Sequence, residues 1–224
     1  MIEYIGEHTF VGQLGLAFIS ISFAASLLAS YSFFLASKNK GLEREWLPLA
    51  RVSFLVHGLS VLGIISCMFF MIYNHYFEYQ YVWEHSSLSL PIEYMVSCFW
   101  EGQEGSFLLW IFWNIFAGAV LIKISKSWES PIMAIISAIQ VFLSSMILGI
   151  EIFGVKLGTS PFILVRQLEE NISLPWTLMA NYLEIVPQFM DGRGLNPLLQ
   201  NYWMVIHPPV LFLGFSLTMI PFCY

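Results

Sequence analysis

Charge is what this sequence has least of. Of its 224 residues, 9 are Lys or Arg and 15 are Asp or Glu, which makes 11% charged. A soluble domain carries about 25%, so an ordinary water-soluble fold is excluded. Cysteine is equally sparse. Cys67, Cys98 and Cys223 stand far apart with no CxxC and no ligand spacing, which removes a paired-thiol redox motif from the candidates. Cys67 and Cys223 lie in apolar runs and read as small core residues. No Lys or Arg precedes the first apolar run, which is also too long for a signal-peptide core. That run is therefore expected to stay in the mature chain. Repeats of fixed period and low-complexity linkers are missing too.

What is present is apolar length. Hydrophobic residues make up 58% and aromatic residues 17%, and the mean hydropathy is +0.72. Runs of about 20 apolar residues suffice to cross a bilayer. The chain is thus expected to be an all-α, multi-pass integral membrane protein with spans at about 11–36, 50–73, 106–124, 131–155 and 203–222. The links differ in charge. "SKNKGLEREWLPLAR" carries Lys38, Lys40, Arg44 and Arg51, and "KISKSWES" carries Lys123 and Lys126. The link from Asn74 to Gly105 has neither Lys nor Arg but holds Glu78, Glu84, Glu93, Glu101 and Glu104. Basic residues flanking spans stay on the cytoplasmic side. The N-terminus and two large loops, about 74–105 and 156–202, are then expected outside.

Several residues in or beside those loops carry possible chemistry. In "NYWMVIHPPVLFLGF", His207 precedes Pro208 and Pro209 at the start of the fifth span. Imidazole is a common haem-iron ligand. Proline fixes φ and restricts the residue before it to extended conformations, so His207 reads as an imidazole on a stiff post at the membrane surface. Read from the residues alone, it is either a ligand or an ordinary interfacial histidine. The second loop is rich in rings (Tyr76, Phe77, Tyr79, Tyr81, Trp83, Tyr94, Phe99, Trp100). These form either a platform for a flat apolar ligand or an interfacial aromatic belt. In "WEGQEGSFLLW", Glu104 lies between Gly102 and Gly105 at a membrane edge, where a carboxylate must be solvated or paired. Ser106 alternatively caps the third span. Deeper lie His57, Gln140 and Glu151. Ionisable groups within spans are functional candidates, while a hydrogen-bonded packing role suits His57 as well. The last loop, too apolar for a free linker, is expected as short amphipathic helices on the membrane surface or against a partner.

"GRGLNPLLQNYWMVIHPPVLFLGF" resembles a segment of the CcmF/CcsA haem-handling family of cytochrome c biogenesis, read there as G-R-x-L-N-P-L-L-Q, then H-P-P, then an apolar span. "YVWEHSSLSLPIEYMVSCFWEGQEGSFLLW" is similar to the same family's Y-V-x-x-x-S, L-P-x-x-Y and W-x-x-x-E-G-S-x-x-L-W, in the same order. The resemblance runs from about Tyr81 to Phe215. It implies that His207 matches the first of the family's two external histidines, an axial ligand to haem iron. It also implies a site supported by Trp100, Glu104, Gly105, Ser106, Pro208 and Pro209, with b-type haem as transferred substrate. The partners it implies are a periplasmic haem chaperone, apocytochrome c, other cytochrome c maturation subunits and membrane lipid, with no nucleic acid. The chain would sit in a bacterial inner membrane, or alternatively a mitochondrial one, as part of a thioether-forming haem lyase system. The family's tryptophan-rich external segment and its second external histidine lie beyond the equivalent of Tyr224, so the chain is expected to be the N-terminal part of such a protein. Two other classes stay open. One is a transporter or channel component lined by Glu151, His57 and Gln140, which the lack of an inverted repeat disfavours. The other is a structural subunit that binds no haem.

Overall fold

The apolar runs become helices because a backbone in lipid must satisfy its own hydrogen bonds. The computed structural model describes residues 2–224. In chain order it contains α1 (Thr9–Ala36), α2 (Lys40–Tyr73), α3 (Gln80–His85), α4 (Ile92–Glu101), α5 (Gln103–Ile124), α6 (Glu129–Ser145), a hairpin of β1 (Ile150–Ile152) and β2 (Val155–Leu157), α7 (Tyr182–Ile185) and α8 (Tyr202–Cys223). Helices α1, α2, α5, α6 (with the short turn before it) and α8 are long and apolar enough to cross a membrane. The chain is an all-α multi-pass membrane protein apart from the small antiparallel hairpin.

Three boundaries differ from expectation. Helix α2 begins at Lys40 rather than near residue 50, because Asn39 caps it by accepting from the Leu42 N–H at 3.0 Å. Helix α5 begins at Gln103, with Gly102 as its cap residue and not Ser106. The expected span 131–155 ends at Ser145. Beyond it Gly149, Phe153, Gly154 and Gly158 all have positive φ. Phe153-Gly154, flanked by the Ile152–Val155 pair, form a two-residue hairpin turn of the kind that needs positive φ at both positions. Glu151 consequently sits exposed on β1, opposite Lys156 in register, and not inside a span.

Helices α1, α2, α5 and α6 pack together, and α8 lies against α5, α6 and α4. The end of the bundle with the basic links is held by Phe33, Phe54, Leu121, Ile132 and Met133. Toward the other end Val61, Ile64, Met68, Leu108 and Ile111 join the loop residues Tyr79, Tyr81 and Phe99 in one continuous core. Between the two, His57 is fully buried. Its Nδ1 lies 3.0 Å from the Ser22 carbonyl, so that nitrogen carries the proton, and Nε2 accepts from Gln140 Nε2 at 3.1 Å. Gln140 donates its second N–H to the Ile111 carbonyl, and Asn114 Nδ2 points at Gln140 Oε1. The network joins all four helices, and each such bond is worth about 0.6 kcal/mol in a membrane. Both ring nitrogens of His57 thus have partners within the bundle.

Candidate functional site at the loop end of the bundle

The two large loops fold onto each other as a cap. Tyr79 and Leu164 form a β-bridge, with Gln80 N–H donating to Ile163 O and Val165 N–H to Glu78 O. The N-terminal segment is tied in by Arg166, which grips Glu7 through Nε and Nη2 at 2.6 and 3.1 Å, and by the Tyr182 hydroxyl, which donates to the same carboxylate. Gly12 and Gly15 on α1 admit the rings of Tyr79 and Phe162, where a Cβ would collide. Most rings of the second loop are consumed here. Tyr79, Tyr81 and Phe99 are buried, Phe69 stacks on Phe99 at 4.7 Å, and His8 stacks on Tyr76 at 4.0 Å. They form the core of the cap, which neither the open platform nor the membrane belt anticipated. The last loop likewise packs on this chain's own residues: Trp83 donates to Gln188 O, and Arg193 lies 4.2 Å over the Trp83 ring.

Burial sets the electrostatics of the cap. It pushes the Tyr79 hydroxyl up to about 12, the Cys98 thiol up to about 12, and the Tyr81 and Tyr182 hydroxyls well above the ordinary tyrosine range. Burial also raises Glu78, against the hydrogen bonds from His8 that favour its charged form. The three tyrosines and Cys98 hold their protons at neutral pH, so none of the four is a ready nucleophile or base there.

The glycine-rich turn between α4 and α5 is a joint. Tyr81 donates its hydroxyl to Phe99 O at 2.7 Å and accepts from Gly102 N–H at 3.2 Å. His85 meets Glu101 at 3.1 Å, and the other Glu101 oxygen accepts from Asn196 N–H. Glu104 accepts from Thr159 Oγ1 at 2.5 Å, and Ser106 donates to Trp100 O at 2.9 Å. Gly105 sits so close to the Phe99 carbonyl that a Cβ there would overlap it. Every polar group expected to support a site at this turn is thus engaged in holding the fold.

Helix α8 is arranged differently. Asn201 caps it by accepting from Met204 N–H at 3.2 Å, so the helix starts five residues before His207. His207, Pro208 and Pro209 lie inside the helix, which corrects the expectation of an extended His207 at its mouth. Pro208 cannot donate to the Met204 carbonyl four residues back. That carbonyl accepts instead from Trp100 Nε1 at 3.4 Å, so the α4–α5 joint compensates the proline and fixes the first turns of α8. His207 itself is exposed, and no hydrogen bond to it occurs among the described residues. Trp203 one turn before and Val210 one turn after are also exposed, giving one open face. Trp203 was not singled out from the sequence, although its spacing of four from His207 on a helix was the available signal. Among the described residues no three His, Cys, Asp or Glu groups gather around a possible ion, so His207 can offer a metal one ligand only.

A family profile described as "Cytochrome C assembly protein" matches residues 100–224, from the α4–α5 joint through α8. The chain belongs to the cytochrome c assembly protein family. Among relatives of this assembly protein, the cytochrome c-type biogenesis protein CcmF of Haemophilus influenzae is 30% identical over 222 residues, covering 96% of this chain and 29% of its own length. The cytochrome c-type biogenesis protein CycK of Rhizobium meliloti is 28% identical over 167 residues, 75% of this chain and 21% of its own length. The solved structure titled "Cytochrome c Heme Lyase CcmF" superposes with a TM-score of 0.67 at 22% identity, over 96% of this chain and 29% of that one, a likeness of fold. The chain spans less than a third of the length of these relatives.

Proposed function

We propose that this assembly protein positions b-type haem for covalent attachment to apocytochrome c, with His207 as one axial ligand to the iron. The reading is carried by one observation: His207 is an exposed imidazole with no partner on either ring nitrogen among the described residues, on a helix held by its neighbours. A neutral imidazole supplies a lone pair to haem iron. Its fixed backbone limits the freedom lost on ligation. Among the described residues one such group stands on this face, and the second axial ligand is proposed to come from another part of the full-length protein.

Trp100, Glu104, Gly105 and Ser106 act as positioning residues for α8, with Pro208 and Pro209 stiffening the helix just after the ligand. The exposed Trp203 ring provides an apolar surface beside the ligand for one edge of the porphyrin. Sidedness follows from the basic links: the cap and His207 face the extracytoplasmic water of a bacterial inner membrane. There a haem chaperone delivers haem, and other maturation subunits present the cysteine thiols of apocytochrome c. Vinyl-to-thiol bonding is then a matter of orientation, and none of the three cysteines of this chain takes part. Glu151 lies outside any span, and His57 and Gln140 are bonded to each other, which weighs against the transporter reading.

The test uses the complete haem-handling protein with and without His207→Ala. Loss of mature cytochrome c together with a changed haem absorption spectrum is expected. An unchanged spectrum and undiminished cytochrome c yield would remove the ligand role, and copurification with partners but no haem in either form would favour a structural subunit.

A further inference from the structure

Far from the cap, α2 and α5 diverge to leave a groove of about 390 Å³ between them. Its walls are apolar, chiefly Phe54, Gly58 and Leu62 of α2 and Phe112, Ile115 and Ala119 of α5, and Arg51 closes it at the basic end. At 1.5 Å per residue the walls extend ~16 Å from Arg51 to Leu62 and ~15 Å from Phe112 to Ile122. Half of a ~30 Å hydrocarbon core is ~15 Å. The groove therefore has the depth of one leaflet and begins where headgroups lie.

Arg51 is built for that position. Its Nε and Nη2 donate to the two oxygens of Glu129 at 2.7 and 2.6 Å, which fixes the plane of the guanidinium. The Glu129 side chain is 4% exposed while that of Arg51 is 49% exposed. Two of the five guanidinium N–H groups serve the pair, and the others remain for a second anion. Lys123 directly follows the lining residue Ile122, and Lys126 comes three residues later; both are exposed. The mouth carries Arg51, paired with Glu129, with Lys123 and Lys126 next to it in the chain, and no other charged residue lines the groove among the described residues.

We propose that this groove binds one acyl chain of an anionic glycerophospholipid from the leaflet on the basic side, with its phosphate on Arg51. The occupant is chosen by the pairing of an apolar depth of one leaflet with a half-exposed guanidinium at its mouth, the two ends of a lipid. Basic pockets between spanning helices are suited to anionic headgroups.

Native mass spectrometry of the purified chain, after incubation with phosphatidylglycerol or phosphatidylcholine in mild detergent, reads the occupancy. One retained phosphatidylglycerol is expected, about fivefold more occupied than phosphatidylcholine, the ratio equivalent to one headgroup–cation contact near a membrane surface. Ala119→Phe fills the groove and should remove both lipids. Arg51→Gln combined with Glu129→Gln keeps the pair's shape without charge, and should abolish the headgroup preference while a chain is still held. A phosphatidylglycerol carrying a mid-chain diazirine, used on the unmodified chain, should label the Leu55–Leu62 and Phe112–Ala119 segments. Label confined to other surfaces, no retained lipid, or undiminished retention in a folded Ala119→Phe protein would overturn the proposal, as would cross-linking of a companion polypeptide helix within the groove.

Discussion

The α4–α5 joint and the first turns of α8 touch each other, yet one is chemically closed and the other open. At the joint, Tyr81, His85, Glu101, Glu104 and Ser106 each have a partner, and Gly105 admits no side chain. On α8, His207 has none and faces outward. Both segments carry family motifs, so a motif by itself does not tell which side chains are engaged and which are available.

That contrast can be broken or sharpened by substitution. The largest effect is expected from Gly105→Ala. Overpacking costs about 1–3 kcal/mol and occasionally more, and here the nearest neighbour is rigid backbone, the Phe99 carbonyl, with the Tyr81 hydroxyl next. Loss of the folded chain on size exclusion, or a thermal midpoint lowered by many degrees, should result. Next comes Gln140→Leu, which strips the partner from His57 Nε2 and from the Ile111 carbonyl. Orphaning a buried polar group costs about 1–3 kcal/mol, so the midpoint should fall while proton flux in vesicles stays at background. Flux that depended on Gln140 would restore the transporter reading. Trp100→Phe should cost about 1 kcal/mol through the single bond to Met204 O and loosen α8, read as faster hydrogen exchange in its first turns.

The smallest effect is spectroscopic and concerns pH. Buried phenols whose pKa is raised in the folded state stabilise it fully below their unfolded value of about 10, and that contribution disappears as pH climbs through the folded value. For Tyr79 the window runs from the ordinary tyrosine value to about 12, and Tyr81 and Tyr182 titrate later still. In an alkaline absorbance titration, three of the 10 tyrosines should therefore ionise last and together with unfolding. Early ionisation of all ten would mean that the cap is open.

How legible was this in the residues? The five spans were plain, because apolar length has one physical meaning in a chain with so few charges. The end of α6 was not. "MILGIEIFGVKLG" is apolar enough to pass for helix, and only the glycines at 149, 154 and 158 mark the turns and hairpin. That misreading placed Glu151 inside the membrane. His207 was singled out through its prolines, but their local effect was misjudged: Asn201 starts the helix early, and a tryptophan distant in sequence satisfies the carbonyl that Pro208 leaves free. Such compensation is tertiary and has no local signature. The same holds for the aromatic loop, where Gly12 on α1 makes room for the Tyr79 ring, as Gly15 does for Phe162 of the last loop.

The open imidazole remains the point on which everything turns. In a full-length protein, His207→Gly removes the ring and leaves space for free imidazole. Added imidazole should restore the original haem absorption spectrum and, with it, cytochrome c maturation. A His207→Gly protein whose haem spectrum matches the unmodified one before any imidazole is added would contradict the assignment.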